Sequence, residues 1–410
     1  MWSLPRRLAF RIFAAFVVLD SAPWPLGSLP RSAFVRTPFR AIADVLVPWF
    51  GRHVLGVTVA RIENGSGDTL FHWVSLATTA VAALLVAAIW SALDRNRNEY
   101  ATAFRWLRVY VRLLLATALL NYGVIKILGG QFPALDAYRL VEPLGQMSPM
   151  GLLWTTLGFS RAYQAFAGWC ELSAGLLLLS GRTASAGALI AAAILGNVVM
   201  VNFSFDVPVK IFSTELLVYA LFVLLPDLPF LAKSLVLRRP ASLPEVEPPA
   251  FERRWTSRLA QGAVLLATFV PLYIAWQSAR GTLRWVKKNP PLLAGVWTVD
   301  RFDGSPRARP WRTIAISNWG AAIVRYQDET SARMSFTEVG WDSHEIVLLP
   351  RDPAGPTING DYQQPDPSTL VFRVSIENTP TTIRMRKLDG ASFPLVLRGF
   401  HWVNDAPYNR

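Results

Sequence analysis

Residues 163–229 read YQAFAGWCELSAGLLLLSGRTASAGALIAAAILGNVVMVNFSFDVPVKIFSTELLVYALFVLLPDLP. Three apolar runs follow one another there, 163–180, 183–205 and 211–225, each near the roughly 20 residues that cross about 30 Å of hydrocarbon. The connections at 181–183 and 204–210 are too short to let neighbours run in one direction. The runs therefore zigzag as antiparallel helices. Glu171, Asn197, Asn202 and Glu215 lie inside them, with Asp206 and Lys210 at one mouth. Ionisable groups are costly in such segments, so these residues are the first candidates for function.

Working outward, composition agrees with a multipass membrane protein. Of 410 residues 52% are hydrophobic and 17% charged, a balance that a soluble chain rarely has. The net charge of +13 comes mainly from arginines in connecting segments, where it sets topology and meets anionic headgroups. No basic tract of the nucleic-acid type is present, so nucleic acid is not an expected partner and the lipid bilayer is. One cysteine, Cys170, excludes an internal disulfide, a CxxC relay and a thiolate cluster. The four histidines, His53, His72, His344 and His401, are too scattered for a bis-histidine haem or a zinc signature, and no metal site is expected.

Toward the N-terminus, Arg6, Arg7 and Arg11 precede the apolar run 12–19 and then Pro23-Trp24-Pro25-Leu26. This predicts an uncleaved first span ending in a proline kink. Residues 28–69 read as a loop with an interfacial patch at 41–55. At its end Gly65-Ser66-Gly67-Asp68-Thr69 is either an anion-binding nest or a turn in which Asp68 or Thr69 caps the next helix. Spans follow at 70–93 and 107–128, the latter carrying Asn121, Tyr122 and Lys126 near its end. The 129–161 connection contains a short helix from Ser148-Pro149 and is expected to skim the interface.

Toward the C-terminus, 232–257 is a polar, proline-rich linker and 259–276 a seventh span interrupted by Pro271. From Leu292 the pattern changes to short alternating runs such as 313–316, 369–374 and 382–386, separated by Gly, Pro, Asn and Asp. About eight strands predict a small soluble barrel or sandwich. Trp297, Trp311, Trp319, Trp341 and Trp402 either pack its core or line a ligand cavity. Pro290-Pro291 marks a boundary, and a β-domain cut near Asn289 is expected to fold alone. The chain thus divides into an N-terminal membrane extension (1–106), a four-helix core (107–231), a linker (232–257), a seventh span (258–289) and a β-domain (290–410). Arginine is densest in the short segments around 94–108, 181–183 and 232–258. That side is expected to be cytoplasmic, with the N-terminus inside and the β-domain outside.

The pieces Phe166-Ala167-Gly168-Trp169-Cys170-Glu171-Leu172, Gly175-Leu176-Leu177-Leu178-Leu179, the Gly181-Arg182-Thr183 turn and residues 197–210 resemble the DoxX family of small multipass membrane proteins. GSGDT, Gln131-Phe132-Pro133, Ser148-Pro149-Met150-Gly151-Leu152-Leu153-Trp154 and Arg398-Gly399-Phe400-His401-Trp402 are similar to a longer bacterial subgroup of it, and Gly295-Val296-Trp297 resembles the lipocalin opening. The resemblance implies a four-helix membrane core in a bacterial inner membrane. Because the family includes a subunit of a thiosulfate:quinone oxidoreductase, it also implies a quinone as the amphiphile bound. The extra spans and the β-domain depart from the family pattern.

Antiparallel packing would bring Asn121, Tyr122, Lys126, Glu171, Asn197, Asn202, Asp206, Lys210 and Glu215 into one membrane half. They are the candidate ligand-binding residues. A mostly apolar pocket with a few convergent polar groups suits a quinone, while Glu171 paired with Lys126 or Lys210 could equally fix helix register. Two functions stay open. One is a quinone-linked oxidoreductase subunit; the other is a non-enzymatic transporter, assembly factor or envelope protein whose β-domain recruits a protein partner.

Overall fold

The computed structural model describes residues 1–28, 31–241, 254–288, 293–304, 308–339, 344–390, 393–399 and 401–402. Helices α1 (Leu4–Ser21), α2 (Ala33–His53), α3 (Leu70–Leu93) and α4 (Ala101–Ile127) are followed by the short α5 (Ala137–Val141) and α6 (Pro149–Phe159). Then come α7 (Arg161–Leu179), α8 (Ala184–Ser204), α9 (Lys210–Leu224), α10 (Leu228–Leu231) and α11 (Arg254–Lys288). Strands β1 (Gly295–Asp303), β2 (Trp311–Ile316), β3 (Ala321–Tyr326), β4 (Ser331–Val339), β5 (Glu345–Pro350), β6 (Ile358–Asp366), β7 (Thr369–Ile376) and β8 (Thr379–Leu388) precede a last turn, α12 (Pro394–Leu397). Contacts divide the chain into a helical unit, Met1–Phe132 with Ser160–Arg280, and a second unit, Pro133–Phe159 with Gly281–Arg410.

In the helical unit α4 packs along α7, α7 on α8, α8 on α9, and α9 returns to α4. The ring closes around Leu115, Leu119, Ala174, Leu178, Ala188, Leu216 and Val223. At the α4–α7 crossing a Cβ on Gly123 would lie 2.8 Å from the Gly168 carbonyl oxygen, and one on Gly168 2.7 Å from that of Gly123. Only glycine lets the two backbones touch there. The outside is as apolar as the inside, with Leu84, Leu85 and Ile89 of α3 exposed. Among the described residues four helices are long and apolar enough to cross a membrane, namely α3, α4, α8 and Trp255–Arg284 of α11. They become five if α9 and the bent continuation Leu228–Val236 form one span.

Three expectations change here. The first helix is longer than the apolar run 12–19, is not among the helices that are long and apolar enough to cross by composition, and meets α4 at Tyr110, whose hydroxyl is 2.8 Å from that of Ser21. It is held instead by buried Arg11, which donates to the Tyr100 hydroxyl (2.6 Å), Ser91 Oγ (2.7 Å) and the Asp94 carbonyl (3.1 Å). Residues 33–53 are a helix rather than a loop with a patch, with Pro38 and Pro48 inside it. Helix α11 runs unbroken through position 271. The boundary at Asn289 to Pro291, Trp341 and linker residues 242–253 lie outside the described residues.

The second unit contains a closed, all-antiparallel meander barrel in which β8 pairs back to β1. Closure removes the unpaired edges an open sheet would leave. The β7–β8 turn takes Glu377 and Asn378 at φ 49° and 60°, the twist a two-residue hairpin requires. Trp297, Trp311, Ile314, Ile316, Met334 and Phe372 fill the interior. Of the barrel tryptophans, those two pack the core, while Trp319 and Trp402 are exposed. On the outer face Val296, Ala315 and Ile323 are covered by Tyr138 and Val141 of α5 and by Phe393. Residues 133–159 of that connection therefore belong to the barrel unit. A β-domain cut near Asn289 would lack α5, which covers that apolar face.

Candidate functional site

Lys126 lies in the last turn of α4 and Glu171 in the middle of α7, one helical turn from the Gly123–Gly168 crossing. Close backbones bring the side chains together, and Lys126 Nζ donates to Glu171 Oε1. Their side chains are only 9% and 5% exposed. Glu171 Oε2 is buried and accepts no hydrogen bond among the described residues. Tyr122, one turn before Lys126, sets its ring centroid 5.8 Å from Nζ and 6.2 Å from that of Phe212. The pair can hold a small polar head from two sides, because the ammonium has further N–H groups to donate and Oε2 can accept.

The remaining candidates do not all converge. Asn202 is buried, its Nδ2 without an acceptor, and Asn121 is half-buried. Asn197 is exposed on α8, because its helical phase turns it away from the ring. Asp206 is 84% exposed and pairs with Lys210 at 2.7 Å. Glu215 belongs to another group: α1 brings Asp20 close enough for the two charges to interact, and the Tyr219 hydroxyl donates to Asp20 at 3.4 Å. Glu215 and Tyr219 are four apart on α9, so one face of that helix meets α1.

The GSGDT segment is neither a nest nor a cap for α3. Asp68 accepts the Lys210 and Ile211 amides at 2.7 and 3.1 Å, and Gly67 N donates to the Pro208 carbonyl at 2.8 Å. It caps α9, a helix far away in sequence, satisfying amides that a helix start leaves bare.

Sequence reasoning missed a second buried pair. Arg108, in the first turns of α4, donates to Asp227, which lies just beyond α9, and to the Val223 carbonyl at 2.9 Å; Ser185 Oγ donates to the same carboxylate at 2.5 Å. Arg108 was visible as a charge at a span start, but its partner depends on α9 closing the ring against α4. Along α4 the two pairs are about 27 Å apart at about 1.5 Å per residue, against about 30 Å of hydrocarbon. Each therefore sits near one end of the ring. Among the described residues no three His, Cys, Asp or Glu side chains are grouped to hold a metal ion.

No family model matches the chain, and no solved structure matches it. The uncharacterized protein YwoB of Bacillus subtilis (strain 168) is 37% identical over 116 residues, which is 28% of this chain and 73% of that protein. With that identity over nearly three quarters of the smaller protein, the chain belongs to the family of YwoB.

Proposed function

We propose that the chain is a multipass membrane protein of the DoxX type whose helical ring holds the polar head of a small amphiphile, a quinone being the expected class, at Lys126 and Glu171. The observation that carries this reading is the half-satisfied pair: a buried carboxylate with one oxygen on a cation and the other bare is costly unless something else donates to it. A quinone or quinol head fits the donor set, since Lys126 and the Tyr122 hydroxyl can donate to a carbonyl and Glu171 can accept from a hydroxyl. Under this reading the chain acts as the membrane subunit of a quinone-linked oxidoreductase, beside a partner that carries the electrons. The second reading, a non-enzymatic protein in which the pair only sets register, is favoured by the adjacent Gly123–Gly168 crossing.

Glu171→Gln separates the two. The amide keeps the volume and one hydrogen bond to Lys126, so folding in detergent should persist in both cases. Under the binding reading, the purified variant loses about tenfold or more in affinity for a short-chain quinone, the weight of one hydrogen bond to a charged group. Wild-type affinity in a folded variant would leave only the register reading.

The fold of the barrel unit supports an orientation in the membrane. Residues 133–159 and the barrel pack together, so they lie on one side of the bilayer and an even number of crossings must separate them. Helices α8, α11 and the bent α9 pair make three; α7, antiparallel along α4, makes the fourth. The arginine-dense segments fall on the other side, which supports an exterior barrel and a bacterial inner membrane location; a cytoplasmic N-terminus requires α1 to cross as well. A phosphatase reporter joined after the last residue is expected to be active and a cytoplasm-dependent reporter silent; the opposite pattern would overturn the orientation.

A further inference from the structure

A cleft of about 230 Å³ opens in the second unit between the 133–159 segment and the barrel, lined among others by Tyr138, Arg139, Glu142, Arg333 and Arg351. Its charges are unevenly committed. Glu142, with 2% of its side chain exposed, binds Arg139 through Oε2 and Arg333 at 2.9 Å through Oε1. Arg333 also donates to the Gln146 carbonyl. Asp136 caps α5 by accepting the Arg139 amide at 3.2 Å. Arg351 makes no ion pair among the described residues, so three arginines against two acids leave one positive charge over, carried by a guanidinium with its donors unspent.

The hydroxyls point the same way. Ser317, 3% exposed, accepts the Trp319 and Ala321 amides at 3.1 and 2.8 Å, and Ser148 accepts the Gly151 amide at 3.0 Å. Both oxygens act as acceptors for the chain, which leaves their protons to donate into the cleft. Burial and the neighbouring Glu142 push the Tyr138 hydroxyl up in pKa while the arginines pull it back; it stays protonated and a donor. Two indoles, Trp154 and Trp319, complete the lining. They offer flat apolar surface, and an aromatic body beside a guanidinium is a favourable neighbour.

We propose that this cleft binds a small anion, a carboxylate or phosphate monoester on a single flat ring, with the anionic head on Arg351 and the serine hydroxyls and the ring against Trp154 and Trp319. The volume equals about eight waters at about 30 Å³ each, which suits one ring and excludes an acyl lipid. The site is independent of the amphiphile reading and would survive its failure.

The test is titration calorimetry on the full-length protein in detergent with benzoate, phenyl phosphate and neutral benzyl alcohol. Saturable one-to-one binding of both anions, with benzyl alcohol at least about tenfold weaker, is expected. Arg351→Gln should lose about tenfold or more, since a charge-assisted hydrogen bond is at stake, and Arg351→Lys should keep part of the affinity as a point charge. Arg351 is exposed, so circular dichroism of the barrel should be unchanged. If Arg351→Gln nonetheless melts early, Trp319→Ala reads the same site through loss of the ring contact. No anion binding by the wild type, equal binding of benzyl alcohol, or undiminished benzoate affinity in a folded Arg351→Gln or Trp319→Ala variant would overturn the proposal.

Discussion

Lys126→Met is expected to destabilise the helical unit by about 3–5 kcal/mol, the cost of leaving one partner of a buried ion pair alone. The effect should be at the upper end, because the partner is already short of donors. Glu171 Oε2 is bare in the native protein, and removing the ammonium strips Oε1 as well. The double variant Lys126→Met with Glu171→Leu should recover most of the loss, because apolar side chains of similar volume need no desolvation. Thermal unfolding in detergent, followed by tryptophan fluorescence, measures both. A single variant as stable as the wild type would mean that water reaches the pair, and the binding proposal would lose its physical basis.

Trp297→Ala is expected to cost about 3–5 kcal/mol in the barrel, the usual penalty for emptying a large core site. Trp297 is fully buried and its Nε1 donates to the Leu293 carbonyl at 2.8 Å, so truncation opens a cavity and orphans an acceptor together. At about 4–8 °C per kcal/mol for a domain near 100 residues, the near-ultraviolet dichroism of the barrel should be lost at least about 10 °C earlier. Trp402→Ala, at a position 91% exposed, should change stability by no more than about 0.5 kcal/mol. If Trp297→Ala melted with the wild type, the barrel interior would be a cavity and not a core, and the alternative reading of the tryptophans would return.

Local pattern sufficed for the kind and order of most elements. The apolar runs at 70–93 and 183–205 can only be satisfied as helices in hydrocarbon, since every backbone group must bond within its own segment, and α3 and α8 lie there. The alternation after Leu292 set eight strands with polar turns, yet left barrel and sandwich equally open, because closure is a pairing between the first and last strands and no local residue reports it. In β2 and β3 the sequence carried a finer sign. Thr313-Ile314-Ala315-Ile316 and Ala322-Ile323-Val324 are apolar at consecutive positions, and consecutive residues face opposite sides of a sheet. Both sides are therefore buried, one against the core and the other under α5.

The candidate site was legible only as far as covalent neighbours and short turns carry information. Lys126 and Glu171 sit on helices joined through a long connection, and the contact of Gly123 with Gly168 that brings them together is a product of packing. The sequence left Lys126 and Lys210 as alternative partners of Glu171, and the packing of α4 on α7 selects Lys126. By contrast, Glu215 was read with Glu171 because both lie in one zigzag; the tertiary structure sets it on the face of α9 whose Tyr219 meets Asp20 of α1. Asp68 capping α9, Asp227 bridging Arg108 and Ser185, and residues 133–159 joining the barrel have the same origin. Each satisfies a helix end, a buried charge or an apolar face with a group remote in sequence. The sequence determined that such needs existed and where they lay, since they follow from residue type and period; which distant group meets each need was decided by packing, where desolvation leaves an unmet amide, charge or apolar face too costly to keep.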